Sequence, residues 1–205
     1  MRIWVTGIGD PVLASALDRL EAKHDVVVSE GIDLRDPEAV KLFVSGVEVV
    51  VHSCAAIKDG PDEDVLDREV RGAYVVLEAA CDKKAKRAVL VSSLAFFDEY
   101  DERYVIDEAW RPRPEADAKS LVPLLVERTF REFSRSRPVE TICLRLGQID
   151  QPKGTPTELA VDAIEGALTL QMDPEGYRSV LYHVCEGERF PSGSARNALS
   201  LGGNS

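Results

Sequence analysis

The stretch that decides the fold is MRIWVTGIGDPVLASALDRL, at residues 1–20. Arg2–Thr6 is predicted to form an apolar β-strand, and Gly7 and Gly9 indicate a tight turn directly after it. Asp10-Pro11 then predicts a helix start, because Asp is a favoured N-cap and Pro is accepted at the first helical position. The helix has a predicted buried face at helical spacing: Val12, Leu13, Ala16, Leu17 and Leu20.

A β-turn-α unit of this kind binds a dinucleotide through its pyrophosphate. Small residues let the backbone approach the phosphates, and free N–H groups at the helix start face the anion. The G-x-G-x-x-G spacing needs glycine at position 12, where Val12 stands, and Asp10 is able to satisfy those N–H groups itself. Its carboxylate would also repel a phosphate. Two interpretations stay open: a cofactor site at Gly7, Ile8, Gly9 and Asp10, or simply a well-capped first helix.

Composition limits the classes of function. The chain has 205 residues, 44% of them hydrophobic and 30% charged, which is typical of one globular domain. The formal net charge of −11 argues against nonspecific binding to nucleic acid or to an anionic membrane. No apolar run has the length of a membrane span, and a strand follows Met1 directly, so we expect a cytoplasmic protein without a signal peptide.

The four cysteines are scattered along the chain without a C-x-x-C pair: Cys54, Cys81, Cys143 and Cys185. Cys54 and Cys143 fall in predicted core strands, which indicates buried free thiols. The three histidines show no metal-ligand spacing with the cysteines, so no metal site is predicted.

Strands and helices are predicted to alternate along the whole chain. Strands are expected at Arg2–Thr6, Asp25–Ser29, Val47–His52, Arg87–Ser92, Glu140–Leu146 and Arg178–Val184, with a short strand or turn at Gly31–Leu34. After the first helix, further helices are expected at Glu38–Val44, Asp64–Asp82, Ala116–Ser134 and Thr157–Leu170. This alternation predicts an α/β domain over residues 1–190 with a doubly wound parallel sheet. Residues 191–205 are expected to form a flexible tail.

Six segments occur in the order of one enzyme family. They are VTG at 5–7, IDLRDPEAV at 32–40, VEVVVHSCAA at 47–56, EVRGAYVVLEAA at 69–80, RAVLVSS at 87–93 and ICLRLGQI at 142–149. Through them the chain resembles the extended short-chain dehydrogenases/reductases, the NAD-dependent epimerase/dehydratase group, which acts mainly on nucleotide sugars. The resemblance covers residues 1 to about 184. It implies a Rossmann-like NAD(P)-binding fold with NAD as a possible cofactor.

The resemblance also implies which residues contact the cofactor. Within the matched segments, Asp33 and Leu34 would approach the adenine ring, and Ala55 and Ala56 would pass beside the cofactor. Glu30 would hold the ribose hydroxyls and favour NAD, while Arg35 is the only nearby cation for a 2′-phosphate. Asp33 fits equally well in an acidic turn before the predicted Asp36 cap.

Two motifs of the family are altered. The family turn is T-G-x-x-G-x-x-G, but Asp10 and Leu13 replace its second and third glycines. Leu13 is expected to prevent close packing of helix on strand unless the turn takes another shape. In the catalytic Y-x-x-x-K motif, Lys119 matches the lysine and Glu115 stands where the tyrosine is expected. None of the five tyrosines has a lysine four residues later.

The loss of the tyrosine matters for chemistry. In the family, tyrosine exchanges a proton with the substrate oxygen, whereas a glutamate has a reference pKa of about 4.3 against about 10 and is a poor donor near neutrality. Glu115 and Lys119 are instead expected to form an exposed i,i+4 ion pair. Pro123 lacks the N–H that would bond the Lys119 carbonyl, which predicts a kinked or later-starting helix. If chemistry survives, the candidates are Ser92, Ser93, Glu115 and Lys119, with Asp98 nearby.

Three hypotheses remain at this point. The first is a non-catalytic or repurposed protein that binds a nucleotide or nucleotide sugar, or assembles as a homodimer through helices 64–82 and 116–134. The second is an active NAD(P)-dependent oxidoreductase or epimerase with a rearranged site. The third is a structural subunit of an active paralogue. Residues 147–190 would be a remnant of the family's larger substrate region, which favours the first.

Overall fold

The computed structural model describes residues 1–55, 57–173 and 175–202. Its strands are β1 Arg2–Thr6, β2 Asp25–Val28, β3 Val49–Ser53, β4 Arg87–Ser93, β5 Glu140–Leu146 and β6 Ser179–Val184. Its α-helices are α1 Pro11–Glu21, α2 Pro37–Lys41, α3 Asp62–Leu66, α4 Gly72–Asp82, α5 Ala118–Ser136, α6 Thr157–Thr169 and α7 Gly193–Ala198. A π-helical turn at Asp67–Arg71 joins α3 to α4, and a 3₁₀ turn at Ala95–Phe97 follows β4.

All six strands are parallel and stand in the order β2-β1-β3-β4-β5-β6. The predicted doubly wound parallel sheet is therefore confirmed. The chain leaves β1 for β2 on one side and reaches β3 on the other, so strand order reverses between β1 and β3. Ligands of such sheets bind beyond the carboxyl ends of the strands at this reversal.

The two faces of the sheet carry two separate apolar cores. On one face α1, α6 and the segment around α7 pack on the strands, with Leu13, Ile164 and Leu199 buried among them. On the other face α2, α4 and α5 pack over the same strands, with Trp4, Leu77 and Phe130 buried. A strand covered on both faces is buried throughout, as Val49–Ser53 is, and its first three residues are all valine.

The C-terminal segment differs from the predicted flexible tail. Residues 193–198 form α7, and Ala195, Leu199 and Leu201 are buried in the same apolar core as residues of α1 and α6. Gly166 of α6 permits this contact, because a Cβ there would lie 2.6 Å from the Leu199 carbonyl oxygen. Residues 203–205 lie outside the described residues.

Two helices differ from their predicted form. The predicted helix over 64–82 begins at Asp62 and contains the π-helical turn. Helix α5 runs without a break through Pro123, so the expectation of a later helix start is wrong. Pro123 lies in the second turn, where one intrahelical hydrogen bond is lost but the ring packs in a buried position. Gly31–Leu34 forms no strand.

Two sequence expectations concern the whole chain. All four cysteines are free, and Cys54 and Cys143 are buried, as predicted. Among the described residues, no helix combines the length and the apolarity that a membrane crossing requires.

Candidate functional site

Gly7 is fixed by a close approach between two strands. Its φ is +81°, and a Cβ on Gly7 would lie 2.5 Å from the Ser53 carbonyl oxygen at the end of β3. Only glycine accepts both constraints without strain. Gly9 has a different environment, because nothing lies within 4 Å of its would-be Cβ. The first turn therefore brings the carboxyl ends of β1 and β3 together at the point where strand order reverses.

Asp10 fills the start of α1 with its own carboxylate. Its Oδ1 accepts the Val12 N–H at 2.9 Å, and its Oδ2 accepts the Ser53 hydroxyl. The side chain is buried, with 3% of the residue exposed. The anion at this helix N-terminus is thus supplied by the protein itself. The predicted N-cap is confirmed, and Leu13 is fully buried in the core behind it.

Two of the residues expected at the adenine, Asp33 and Leu34, are engaged within the chain. Arg35 donates to both oxygens of Asp33 and to Asp67, which holds the pKa of Asp33 at about 2. Leu34 packs against Gly72, where a Cβ would lie 3.3 Å from the leucine Cβ. Glu30 is exposed just beyond β2. The Arg35 guanidinium, expected to face a 2′-phosphate, is therefore already occupied by two carboxylates.

Three of the four predicted catalytic residues line one cavity. Ser93, Glu115 and Lys119 surround a space of about 320 Å³ beyond the carboxyl end of β4, together with Ala55 from the end of β3. This volume is near the lower limit for a small-molecule site. Ala56, expected beside Ala55, lies outside the described residues.

Glu115 and Lys119 do not form the predicted helical ion pair. Helix α5 begins at Ala118 with Asp117 as its cap, so Glu115 precedes the helix and is not one turn from Lys119 on it. Lys119 Nζ instead contacts the carboxylate of Asp59, and this hydrogen bond lowers the pKa of Asp59. The expectation fails because Asp117 is the better cap: its side chain accepts the Ser120 N–H at 3.0 Å.

The cavity carries acids and bases but not the family's proton donor. Asp98 lines it, and burial raises the pKa of its carboxyl. Arg113 also lines the cavity, with its guanidinium carbon 5.0 Å from the centre of the Tyr100 ring. Among the described residues that line the cavity there is no tyrosine. General acid–base chemistry is available here from the carboxylates and from Lys119.

Ser92 is separated from this cavity by the direction of its side chain. It is fully buried and donates to Glu127 Oε1 at 2.7 Å. Arg145 of β5 donates to both oxygens of the same carboxylate, at 2.9 Å and 2.7 Å. Adjacent residues of a strand point to opposite faces, so Ser93 faces the cavity while Ser92 faces α5.

The buried pair of Glu127 and Arg145 was missed in the sequence. The Arg145 guanidinium carbon lies 4.9 Å from the centre of the Phe96 ring, and its Nη1 lies 3.5 Å from His183 Nε2. The available signal was a charged residue in the apolar run ICLRL, since a charge inside a buried strand requires a partner. The partner lies on another element, and spacing along the chain does not reveal it.

The comparisons with known proteins agree with this geometry. A sequence model described as the NAD dependent epimerase/dehydratase family matches residues 9–167. Cinnamoyl-CoA reductase 1 of Arabidopsis thaliana is 33% identical over 96 residues, which are 45% of this chain and 28% of that protein. Uronate dehydrogenase of Pseudomonas syringae pv. tomato is 27% identical over 118 residues, 56% of this chain and 42% of that protein. The matched segments span less than half of these relatives.

Solved structures share the fold over the full chain. A short-chain dehydrogenase/reductase superfamily protein of Agrobacterium tumefaciens with bound NAD superposes with a TM-score of 0.82 at 17% identity, covering 100% of this chain and 93% of that one. Uronate dehydrogenase of the same organism gives 0.80 at 19% identity, with 100% and 84% covered. The family match extends over most of the chain and the sheet order agrees with it, so this chain belongs to the NAD-dependent epimerase/dehydratase family.

Proposed function

We propose that this chain is a repurposed member of its family, which acts by binding or assembly and does not carry out the family's tyrosine-dependent hydride transfer. The observation that carries the proposal is the buried Asp10 carboxylate at the start of α1. A dinucleotide pyrophosphate would need the same N–H groups and would meet a fixed negative charge beside them. NAD binding is therefore expected to be weak or lost.

The cavity beyond β4 supports the same proposal. It has Glu115 and Lys119 in place of a tyrosine–lysine pair, and Lys119 is held by Asp59. In the family, the lysine lowers the pKa of the neighbouring tyrosine. Lys119 has no such role here, because it contacts Asp59 and no tyrosine is among the described residues that line the cavity. The ligand that we propose is a nucleotide or a nucleotide sugar, bound without reaction. MoeE5, which shares the fold, was solved with UDP-glucuronic acid and NAD. A cytoplasmic location stays a prediction.

Assembly through α4 and α5 is part of the proposal. Tyr74 on α4 is 46% exposed and lies edge-on to Phe133 of α5, with ring centres 5.3 Å apart. Leu121 and Leu125 on α5 are only half-buried. A second copy would cover these apolar atoms in a homodimer of four packed helices. Phe130, by contrast, is buried in the core and is not available to a partner.

The test is calorimetric titration of the wild-type protein and the Asp10→Gly variant with NAD⁺, NADH, NADP⁺ and NADPH. We expect no saturable heat for the wild type at millimolar ligand and a gain of at least about tenfold in affinity for Asp10→Gly, because the fixed carboxylate is gone. Glycine is nearly as good an N-cap as aspartate, so the helix is expected to persist.

Asp36→Gly is the matched control. Asp36 caps α2 in the same way, with Pro37 after it and Glu38 N–H as its donor, yet its carboxylate is exposed. This variant is expected to lose an equivalent N-cap hydrogen bond and to show no gain in dinucleotide affinity. Micromolar binding of a dinucleotide by the wild type would contradict the proposal.

The second candidate function is an active oxidoreductase with a rearranged site. It is favoured by the single cavity that Ser93, Glu115, Lys119 and Asp98 share. Its signature would be NADH formation from NAD⁺ with a uronate, the substrate class named for two related proteins. Loss of that activity in Lys119→Met, but not in the exposed Lys41→Met, would establish it.

A further inference from the structure

A second, larger cavity lies away from the carboxyl ends of the strands. It has a volume of about 950 Å³ and lies between α5, the α5-facing side of β5 and β6, and the loop at residues 108–112. None of the residues that line it also lines the cavity beyond β4. We call it the arginine groove, for the four exposed arginines at its rim: Arg128, Arg131, Arg135 and Arg178.

The rim of the arginine groove is cationic in a strongly acidic protein. Arg128, Arg131 and Arg135 recur at i, i+3 and i+7, so they share one face of α5. Among the described residues, the side chains of Arg128, Arg131 and Arg178 have no ion pair and no hydrogen bond, while Arg135 contacts only Glu132 at 3.5 Å. The chain as a whole carries −11. A cluster of free arginines against that background attracts a small anion.

The acidic groups of the groove do not cancel these arginines. Glu127 is neutralised by Arg145 through two hydrogen bonds. Glu108 accepts the His183 backbone N–H at 3.3 Å and keeps its charge, so among the described residues that line the groove a single unpaired carboxylate faces the four rim arginines. The positive potential of the rim therefore remains directed at whatever enters the groove.

The floor of the groove is apolar and contains one buried hydroxyl without a partner. Leu124, Cys143 and Leu181 line it between the helix and the strands. Thr141 also lines it, is 2% exposed, and its Oγ1 has no hydrogen-bond partner among the described residues. A buried hydroxyl without a partner costs free energy, which a polar group of a ligand would recover.

We infer that the arginine groove binds a small organic anion whose carboxylate or phosphate contacts the arginines and whose largely apolar body lies on the floor, with a polar group beside Thr141. A symmetric second copy fits poorly, because it would place the same arginines against each other. A nucleic acid fits poorly as well, since the rest of the surface repels a long polyanion. The cavity volume lies in the range of small-molecule sites.

The experiment is calorimetric titration with decanoate, decyl phosphate and the neutral decanol, repeated at high salt. Decanoate or decyl phosphate is expected to bind saturably at 1:1, and decanol at least about tenfold more weakly, because charge-assisted hydrogen bonds supply the difference. Comparison of the two anions identifies the preferred head group. The affinity is expected to fall as ionic strength rises, since the rim is exposed.

The variant Arg128→Gln/Arg131→Gln tests the rim, and Arg103→Gln is the matched control. Arg103 is also exposed, pairs locally with Asp101 and lies outside the groove. The double variant is expected to lose at least about tenfold in anion affinity, and the control less than about twofold. Thr141→Val keeps the side-chain shape and removes the unpartnered hydroxyl; because the decyl chain has no polar group that could bind this hydroxyl, decanoate affinity is expected to stay within about twofold.

Three results would overturn the inference. One is decanol binding as tightly as decanoate, which would indicate that the groove binds apolar chains without recognising the anion. Another is an equal loss in Arg103→Gln, which would indicate net charge alone. The last is arginine-dependent binding of a hexaglutamate peptide with no saturable binding of either small anion, which would assign the groove to a protein partner. Because this site shares no lining residue with the cavity beyond β4, its failure leaves the proposed function untouched.

Discussion

Gly7 and Asp10 stand three residues apart and show how one turn preserves a fold while changing a binding site. Gly7 keeps β1 and β3 in contact, since nothing larger than hydrogen fits against the Ser53 carbonyl. Asp10 bridges the same two strands through the Ser53 hydroxyl and caps α1. The turn is thereby stabilised without any ligand. A phosphate-binding turn has the opposite need, because its N–H groups must remain free for the phosphate.

At the residue scale we expect Gly7→Ala to lower the free energy of unfolding by about 2 kcal/mol or more. The new Cβ would have to accept φ near +81° and a 2.5 Å approach to the Ser53 carbonyl oxygen. Urea denaturation followed by circular dichroism measures the change. Gly9→Ala is the control, since open space surrounds its Cβ position, and we expect a change within about 0.5 kcal/mol. Equal losses in both variants would contradict the close approach.

At the element scale, the C-terminal segment depends on α6. Helix α7 has six residues and no side-chain cap, so it has little stability of its own. Its neighbours Leu199 and Leu201 are buried, and Gly166 provides the space for Leu199. The segment is therefore ordered by packing on the sheet layer rather than by helix propensity.

We expect Gly166→Ala to release this segment. Alanine in place of glycine normally favours a helix by about 1 kcal/mol, but here the methyl group would collide with the Leu199 carbonyl at 2.6 Å. Overpacking of this kind costs about 1–3 kcal/mol. Hydrogen exchange and limited proteolysis should both become faster at residues 193–202. Gly193→Ala, with nothing within 4 Å, should leave both unchanged, and protection retained in Gly166→Ala would refute the contact.

At the scale of the whole molecule, two buried histidines link stability to pH. Burial lowers the pKa of His52 to about 4, and burial together with the Arg145 charge lowers the pKa of His183 to about 4. His52 Nδ1 lies 2.5 Å from Thr6 Oγ1, and His183 lies between Phe97 and Phe190. Both rings are therefore neutral in the folded protein at pH values where the unfolded chain already protonates them.

We expect the free energy of unfolding to fall as pH drops from about 6.5 to about 4. The unfolded state, with a histidine pKa near 6.5, binds more protons in this window, so stability is complete above it and is lost toward the folded pKa. The upper limit is about 1.4 kcal/mol per pH unit for each histidine. Urea midpoints across this range measure the slope. His52→Gln should remove about half of it, and an unchanged slope in that variant would assign the effect to other groups.

The sequence predicted most of the fold because its signals are local. Alternating apolar runs located all six strands to within two residues, and Asp-Pro pairs located the starts of α1 and α2. The signals failed where a distant contact decides the outcome. The C-terminal residues look like a linker in composition, yet Ala195, Leu199 and Leu201 are buried, and Gly166, 33 residues before Leu199, leaves the room for that contact.

The candidate site likewise has features that the sequence reveals and features that only the tertiary structure reveals. The sequence by itself determined the family, the Asp10 cap and the absence of a tyrosine–lysine pair, since each depends on residue types at fixed spacing. Only the tertiary structure decided that Asp10 is bound to Ser53, that Lys119 contacts Asp59, and that Glu127 and Arg145 form a buried pair. These partners lie on separate elements, and they meet only when the sheet and the helices pack. Hydrogen bonds and ion pairs act over a few ångströms in space, whatever the distance along the chain.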